Sequence, residues 1–323
     1  MITSNQILVK GSLAPTRKGA KRYRVTNGLS LRLFARETFS LSRALVVLAK
    51  PEITFMVMIS AGVASLLASD SLRIIVLVHS VVGIGLLSAG ASVLNQFLER
   101  ELDGRMRRTA RRPLPAEDLT PRQALVFGIA LSFSGMLYVL LLLNLLTALL
   151  GLLTLISYLF IYTPLKTRTS LCTFVGAFPG AAPVLMGWSA TTNGLTLEAA
   201  ALYAILFLWQ FPHFYAIGLL YREDYARAGM LMLPAREAND KSTSTLILVS
   251  THLLIIASVL MTFIAHTGTL YLVSATILGI CFYHFAYHAA LSRSKVAAKR
   301  LLHASVIYLP LLYLFILLDK INR

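Results

Sequence analysis

Residues 95–113 read NQFLERELDGRMRRTARRP, and this stretch decides the fold around it. It begins at the end of a long apolar run, and Asn95, Glu99 and Asp103 follow one another at intervals of four residues. On an α-helix that spacing puts three oxygen-bearing side chains on one face, about 6 Å apart at each step. Oxygen ligands suit a hard cation such as Mg²⁺, which shares its remaining positions with waters and substrate phosphates. The stretch therefore predicts a magnesium site at the end of a membrane helix.

A run of arginines follows these acids directly. Its members are Arg105, Arg107, Arg108, Arg111 and Arg112. Guanidinium groups match phosphate oxygens in a bidentate fork, so acids followed by arginines predict a diphosphate site at a membrane surface. The alternative is a solvated loop that only obeys the positive-inside rule, under which cytoplasmic loops carry an excess of Lys and Arg.

The composition is that of a membrane protein. Of 323 residues, 57% are hydrophobic and 14% are charged, with a mean hydropathy of +0.72, whereas a soluble domain carries about 25% charged residues. The net charge of +16 comes from basic residues in short segments between apolar runs. This distribution is typical of loops that face anionic lipid, so we expect membrane lipid as a partner and no nucleic acid. Cys172 and Cys281 have neither metal-ligand spacing nor a disulfide framework.

Nine apolar runs are long enough, or nearly so, to cross about 30 Å of hydrocarbon. They are residues 50–69, 73–98, 122–142, 145–163, 171–190, 197–220, 243–265, 269–290 and 301–319. The predicted fold class is all-α, a polytopic membrane protein with a bundle of nine transmembrane helices in residues 50–323. Residues 1–49 are predicted to form a basic cytoplasmic arm, in which 29–48 would lie on the membrane surface as an amphipathic helix.

The basic residues also predict the orientation. Most of the 30 Lys and Arg residues lie in the N-terminal arm or in the connections after the second, fourth, sixth and eighth runs. Only Arg73, Lys320 and Arg323 lie at the opposite side. The positive-inside rule then predicts a cytoplasmic N-terminus and an external C-terminus. We expect a bacterial cell (inner) membrane, with the mitochondrial inner membrane as the alternative.

A second polar group lies at the end of the run 197–220. Gln210 and His213 share a helix face by their spacing of three, and His213 precedes Asp224 by about three turns on what the pattern predicts to be one helix. Asp224 is the first choice for a second metal ligand, and Glu223 is the reserve. The alternative is a helix end that is solvated by mixed charges.

Two further cations follow the fourth run, in the segment YTPLKTRTS at 162–170. Pro164 is expected to end the helix there. Lys166 and Arg168 would then emerge at the cytoplasmic face, where a diphosphate would lie. Elsewhere, His284 and His288 have the spacing of a metal pair, although no third ligand is near them in the sequence.

These segments resemble the UbiA superfamily of intramembrane prenyltransferases. The matching stretches are NQFLERELDGRMRRTARRPLP at 95–115, YTPLKTRTSLCTFVGAFPGAAPVLMGW at 162–188, and WQFPHFYAIGLLYREDYARAGMLMLP at 209–234. The resemblance covers most of the chain from Lys50 onward. It is closest to the branch that attaches farnesyl to haem, since the WQ-PHF and DY-AG-MLP patterns are specific to that branch.

The resemblance implies nine helices around a central cavity, with two acidic motifs that hold Mg²⁺ and the diphosphate of farnesyl diphosphate. It assigns Asn95, Glu99 and Asp103 to the first motif and Asp224 to the second. The family often has Asp at the position of Glu99, and the superfamily often has another Asp where this chain has Ala228. These departures leave the number of bound Mg²⁺ ions open.

The expected reaction also follows from the resemblance. Mg²⁺, Arg107, Arg111 and Lys166 would neutralise the diphosphate, and aromatic faces would stabilise the allylic cation. The aromatic candidates are Phe97, Phe211, Phe214 and Tyr215. The acceptor would be a vinyl group of haem b, to which water also adds. Residues expected to contact the haem are Trp209, Gln210, His213 and Tyr221.

Other interpretations remain open. A UbiA-type enzyme could prenylate a quinone precursor or another aromatic acceptor instead. A non-catalytic haem carrier or a transporter is a reading from another class, and the carrier would tolerate loss of Asp103 and Asp224. The resemblance also implies a haem A synthase as a downstream partner.

Overall fold

The computed structural model describes residues 41–69, 71, 73–233 and 241–321. Over these residues it is all-α, as predicted. The helices, in chain order, are α1 Leu41–Leu48, α2 Pro51–Leu67, α3 Ile74–Arg105, α4 Pro121–Leu142, α5 Leu145–Leu165, α6 Cys172–Thr192, α7 Leu197–Leu220, α8 Arg222–Arg227, α9 Lys241–Ile264, α10 Thr269–Ser292 and α11 Lys295–Ile321. The predicted N-terminal arm lies outside the described residues up to residue 40. Its last part is described and forms α1.

Each predicted apolar run coincides with a long helix in the described part of the chain. Seven of these helices are long and apolar enough to cross a membrane, and an eighth span is obtained when α1 and α2, which meet at 48°, are counted together. The remaining long helix, α6, is rich in glycine, alanine and proline, with Pro179 and Pro183 inside it. The predicted helices are therefore present, while length and composition support seven or eight membrane spans.

Helix α3 extends seven residues beyond the apolar run that predicted it. Its 32 residues span about 48 Å at 1.5 Å per residue, which exceeds the roughly 30 Å of a bilayer's hydrocarbon. The final turns of α3 therefore extend beyond the apolar layer and are still α-helical. Glu99 and Asp103 lie on those turns, and the helix fixes their relative positions.

Small residues let neighbouring helices approach closely. A Cβ atom on Gly187 of α6 would overlap the carbonyl oxygen of Ala61 on α2. On α3, a Cβ atom on Gly90 would come within 2.7 Å of the backbone nitrogen of Ser132 on α4. Close backbone approach is the usual means of packing helices in lipid, where no hydrophobic force drives them together.

Helix α5 contains a π-helical turn at Ser157–Tyr162. There the backbone N–H of Thr163 bonds the carbonyl of Tyr158, five residues back. The helix was expected to end at Pro164, but it continues to Leu165. In the wider turn, each backbone N–H bonds a carbonyl five residues back instead of four. Because the hydrogen-bond pattern has already changed before Pro164, the missing N–H of the proline disturbs the helix little.

The end of α11 joins two other helix ends at the side of the bundle opposite the acidic motifs. Asp319 accepts hydrogen bonds from the backbone N–H groups of Gly268 (2.6 Å) and Tyr271 (3.2 Å), at the start of α10. Lys320 donates to the carbonyls of Leu66 (3.1 Å) and Leu67 (3.0 Å), at the end of α2. A carboxylate at a helix N-terminus and an ammonium at a C-terminus both complement the helix dipole.

Candidate active site

The first acidic motif lies on the side of α3 that faces the protein interior. Asn95, Glu99 and Asp103 have relative exposures of 1%, 4% and 1%. The solvated-loop interpretation is therefore wrong for these three residues. Ionised groups are rarely buried to this degree unless they are paired. Both acids therefore require a cationic partner.

Each buried acid is paired with a cation from another part of the chain. Lys166, just after α5, has its Nζ 2.6 Å from Oε1 of Glu99. Arg112 donates to Oδ2 of Asp103 at 2.7 Å. The two acids of α3 and these two cations thus form one compact cluster of alternating charge.

Asn95 connects the same cluster to two more segments. Its Nδ2 donates to Oγ1 of Thr163 at 3.1 Å, and its Oδ1 accepts from Nζ of Lys50 at 3.2 Å. Lys50 occupies the corner between α1 and α2 with a positive φ of 47°. Sequence reasoning missed this lysine. The available signal was a lone basic residue before Pro51, at the start of the first apolar run.

The donor set fits a hard cation. Amide and carboxylate oxygens are the ligands that Mg²⁺ prefers. Among the described residues, the one close partner of the buried Oε1 of Glu99 is Nζ of Lys166, at 2.6 Å. A carboxylate oxygen has two lone pairs, so one remains for a ligand. Within the described ranges, no three His, Cys, Asp or Glu side chains are already grouped as a metal site.

The second motif lies on a separate short helix. Helix α7 ends at Leu220, and α8 carries Asp224 after a break at Tyr221. The expectation that His213 and Asp224 share one helix is therefore wrong. Tyr221 leaves the α-helical region, with φ −115° and ψ 23°, and the chain turns there.

Asp224 is buried and well supplied with donors. Its Oδ2 accepts from the backbone N–H of Arg108 at 3.1 Å, and its Oδ1 accepts from Arg227 at 3.0 Å. Burial raises the pKa of Asp224, but the backbone N–H groups of Arg108 and Arg107 and the Arg227 guanidinium outweigh this effect. The pKa of the carboxyl is therefore held below its usual value, and the group is ionised at neutral pH.

Arg108, in the loop that follows the first motif, contacts the second motif. Besides its backbone contact with Asp224, its guanidinium lies over the rings of Tyr221, at 4.8 Å, and Tyr225, at 5.9 Å. A backbone bond from Leu231 to the carbonyl of Lys166, at 2.8 Å, adds a second link. The loop after α3, the end of α5 and the segment around α8 thus meet around one polar cluster.

The other predicted cations and the reserve acid lie further out. The side chains of Arg107, Arg111 and Arg168 are exposed, and none of them forms an ion pair with the acids in the described part of the chain; only the backbone N–H of Arg107 is directed at Asp224. Glu223 is also exposed and pairs with Lys295 at 2.8 Å. The structure thus brings Lys166 and Arg112 to the buried acids, and it leaves Glu223 outside the cluster that contains Asp224.

The residues predicted to contact a haem face different neighbours. Gln210 is buried and donates to the carbonyl of Ala177 on α6 at 3.0 Å. His213 instead lies on the α11 side, with Nδ1 2.8 Å from Oγ of Ser305, and its ring stacks on Trp209. Gln210 and His213 were predicted to share a helix face, but they contact different helices, α6 and α11.

The hydrogen bonds at Ser305 define the state of the His213 ring. The hydroxyl of Ser305 donates to the carbonyl of Leu302 at 2.6 Å, so it accepts from His213 Nδ1. In the neutral ring, the proton on Nδ1 leaves Nε2 with a lone pair. Trp209 donates to the Ser305 carbonyl at 2.8 Å and holds the ring from its other side.

Comparisons with known proteins agree with this architecture. The family described as UbiA prenyltransferase family matches residues 55–312. The chain is 44% identical over 288 residues to a protein named protoheme IX farnesyltransferase from Solibacter usitatus, covering 86% of this chain and 99% of that protein. It is 40% identical over 292 residues to the protein of that name from Koribacter versatilis, covering 87% and 94%.

Solved structures share the fold. A digeranylgeranylglyceryl phosphate synthase superposes with a TM-score of 0.72 at 17% identity, covering 87% of this chain and 99% of that one. A UbiA homologue from Archaeoglobus fulgidus, bound to GPP and Mg²⁺, gives a TM-score of 0.63 at 13% identity, covering 84% and 99%. At these identities the likeness concerns the fold alone.

Proposed function

Because the chain belongs to the UbiA prenyltransferase family, we propose that it transfers farnesyl from farnesyl diphosphate to a vinyl group of haem b. Water adds in the same reaction, and the products are haem O and diphosphate. The names of the relatives at 44% and 40% identity support the haem acceptor. The observation that carries the enzyme interpretation is the buried cluster of Asn95, Glu99 and Asp103, followed by a loop in which the backbone N–H of Arg108 donates to Asp224.

The first step is the departure of diphosphate. The C–O bond to the first farnesyl carbon breaks, and the electron pair leaves with the diphosphate. Asn95, Glu99, Asp103 and Asp224 are the proposed ligands of Mg²⁺, which supplies charge neutralisation of the leaving group when bound. Lys166 and Arg112, already drawn into the cluster by Glu99 and Asp103, are positioned to bind diphosphate oxygens.

The second step joins the two substrates. The terminal vinyl carbon of the haem forms a bond to the first farnesyl carbon, and hydroxide from water adds to the vinyl carbon next to the pyrrole. The remaining proton goes to solvent. Aromatic faces stabilise the allylic cation by about 0.5–2 kcal/mol each. Tyr162 and Tyr158, on the π-helical turn of α5, join the candidates because the Tyr162 ring lies 4.7 Å from Nζ of Lys166 and the Tyr158 ring packs against it.

His213 is the proposed haem-contacting residue. Its Nδ1 is held by Ser305 and its ring by Trp209, so Nε2 has a fixed direction. Gln210, Trp209 and Tyr221 are proposed to shape the same acceptor site. Fixed side chains of this kind orient a planar substrate at small entropic cost.

The test is an assay in membranes with haem b, farnesyl diphosphate and Mg²⁺, in which haem products are identified by mass. We expect a product heavier by one farnesyl and one water, which Asp103→Asn and Asp224→Asn each lose by at least a hundredfold. EDTA should abolish it. The matched control is Glu101→Gln, since Glu101 lies on the same helix but its side chain is 78% exposed.

The other outcomes are distinct. Prenylation of an added quinone precursor or other aromatic compound, with no haem product, would show that the acceptor is not haem. The proposed diphosphate site would be unaffected by that result. Full activity of Asp103→Asn would contradict the role of the acidic cluster. Retention of haem without any prenyl transfer would instead support a carrier.

A further inference from the structure

A cavity at the turn between α10 and α11 has no role in the proposed reaction. It encloses about 250 Å³. Its polar lining consists of His284, His288, Ser292, Ser294 and Arg300. His284 lies eight residues before the end of α10, which is about 12 Å along the helix axis. The cavity therefore runs from the predicted cytoplasmic surface into the apolar layer.

The electrostatics of this cavity favour an anion. No Asp or Glu is among the residues that line it. Lys295, in the first turn of α11, already pairs with Glu223. Arg300, by contrast, makes no ion pair with any residue that the structure describes. Arg300 is exposed, and its guanidinium presents several N–H donors in a fork that matches phosphate oxygens.

The two histidines add further donors near Arg300. The rings of His284 and His288 are 4.6 Å apart and both side chains are exposed. Ser292 Oγ donates to the carbonyl of His288 at 2.9 Å, which fixes the turn on which the cavity is built. Two imidazoles and a guanidinium thus line one cavity whose lining contains no carboxylate.

The remaining lining is apolar. Phe285, Val296 and Ala297 complete the wall, and Val296 is 63% exposed. Val296 thus presents apolar surface beside the basic residues of the cavity. A ligand for this cavity therefore combines an anionic head with an apolar chain.

We propose that this cavity binds one anionic phospholipid of the cytoplasmic leaflet. The phosphate contacts Arg300 and His288, and the acyl chain runs along Phe285 and Val296. The cavity is separate from the acidic cluster, and its occupancy is independent of the prenyl transfer proposed above.

The test uses the purified full chain in nanodiscs made from either phosphatidylglycerol or phosphatidylcholine with the same acyl chains. Retained lipid is counted by native mass spectrometry after release. We expect one phosphatidylglycerol to stay on the wild type, and Arg300→Ala to weaken this retention about tenfold. His288→Gln should weaken it by a smaller factor. Lys299→Ala is the matched control, since it removes an exposed neighbouring charge that does not line the cavity.

Several results would overturn the proposal. Equal loss in Arg300→Ala and Lys299→Ala would indicate only general attraction to a basic surface. Equal retention of phosphatidylcholine and phosphatidylglycerol would remove the role of the anionic head. Absence of retained phosphatidylglycerol on the wild type, together with binding of millimolar inorganic phosphate that Arg300→Ala abolishes, would identify a site for free phosphate. Because Arg300→Ala could impair folding, His288→Gln must give the same direction of change in a monodisperse preparation.

Discussion

The ion pair between Lys166 and Glu99 gives the sharpest prediction about stability. The two charged atoms are 2.6 Å apart, and the side chains are only 11% and 6% exposed. Replacing Lys166 with methionine keeps the length of the side chain and removes its charge. Glu99 is then left as a buried carboxylate that has lost its closest cation.

The expected magnitude follows from that burial. Removing one partner of a buried pair costs about 3–5 kcal/mol, because the other charge remains desolvated. Lys50, which binds the neighbouring Asn95, compensates part of this charge. We therefore expect a loss near the lower end, about 3 kcal/mol, or roughly a hundredfold in the unfolding equilibrium.

The assay is equilibrium unfolding in mixed micelles titrated with SDS, in the absence of substrate. The double variant Glu99→Gln with Lys166→Met removes both charges, so it should recover to within about 1 kcal/mol of the wild type. It should still fail to transfer farnesyl, because both residues belong to the proposed diphosphate site. Recovery of stability without recovery of activity separates the two roles of the pair.

The control is the exposed pair at the same end of the helix bundle. Lys295 lies 2.8 Å from Glu223, but its side chain is 57% exposed. Water and salt screen such a pair, so Lys295→Met should cause little measurable change. The reasoning is refuted if Lys166→Met and Lys295→Met lose equal stability, or if the double variant is no more stable than Lys166→Met.

The remaining predictions concern packing, a helix-end contact and the missed lysine. Gly187→Ala should destabilise the protein by about 1–3 kcal/mol in the same titration, because the new methyl group meets the Ala61 backbone. Gly104→Ala, whose Cβ would find its nearest neighbour only at 3.9 Å, should be neutral or stabilising by up to about 1 kcal/mol. Lys320→Met should destabilise by about 1–3 kcal/mol because it leaves the last carbonyls of α2 unpaired; an unchanged unfolding midpoint would contradict this role. Lys50→Met should lower farnesyl transfer at least tenfold with the fold retained, and unchanged steady-state rates would place Lys50 outside the diphosphate site.

The sequence predicted the helices well because lipid leaves little choice. A long apolar run must satisfy its backbone internally, so nearly every run had to become a helix. The helix ends differ from the predicted ends where the local hydrogen-bond geometry departs from that of a regular α-helix. Helix α5 passes Pro164 because a π-helical turn precedes it, and the single helix expected to carry both His213 and Asp224 breaks at Tyr221.

The acidic face could also be predicted, because Asn95, Glu99 and Asp103 lie on one helix and their spacing fixes the face. Their partners could not be predicted, since pairing across the fold depends on how separate helices pack. Of the predicted cations, Lys166 and Arg112 reach the acids while Arg107 and Arg111 remain exposed. These arginines carry the same charge and all follow the same acidic motif, so the sequence gives no reason to prefer one of them. Only the path of the loop after α3 determines which arginine side chain reaches an acid.

By itself, the sequence determined that the chain is an all-α membrane protein and that three oxygen-bearing side chains share a helix face. Helical periodicity and the insolubility of polar backbone in lipid suffice for these conclusions. The tertiary structure decided which cations neutralise those acids, that Lys50 belongs with them, and that His213 faces α11 while Gln210 faces α6. Those features arise from contacts between segments far apart in the chain, and no local pattern specifies which side chains such packing brings within hydrogen-bond distance.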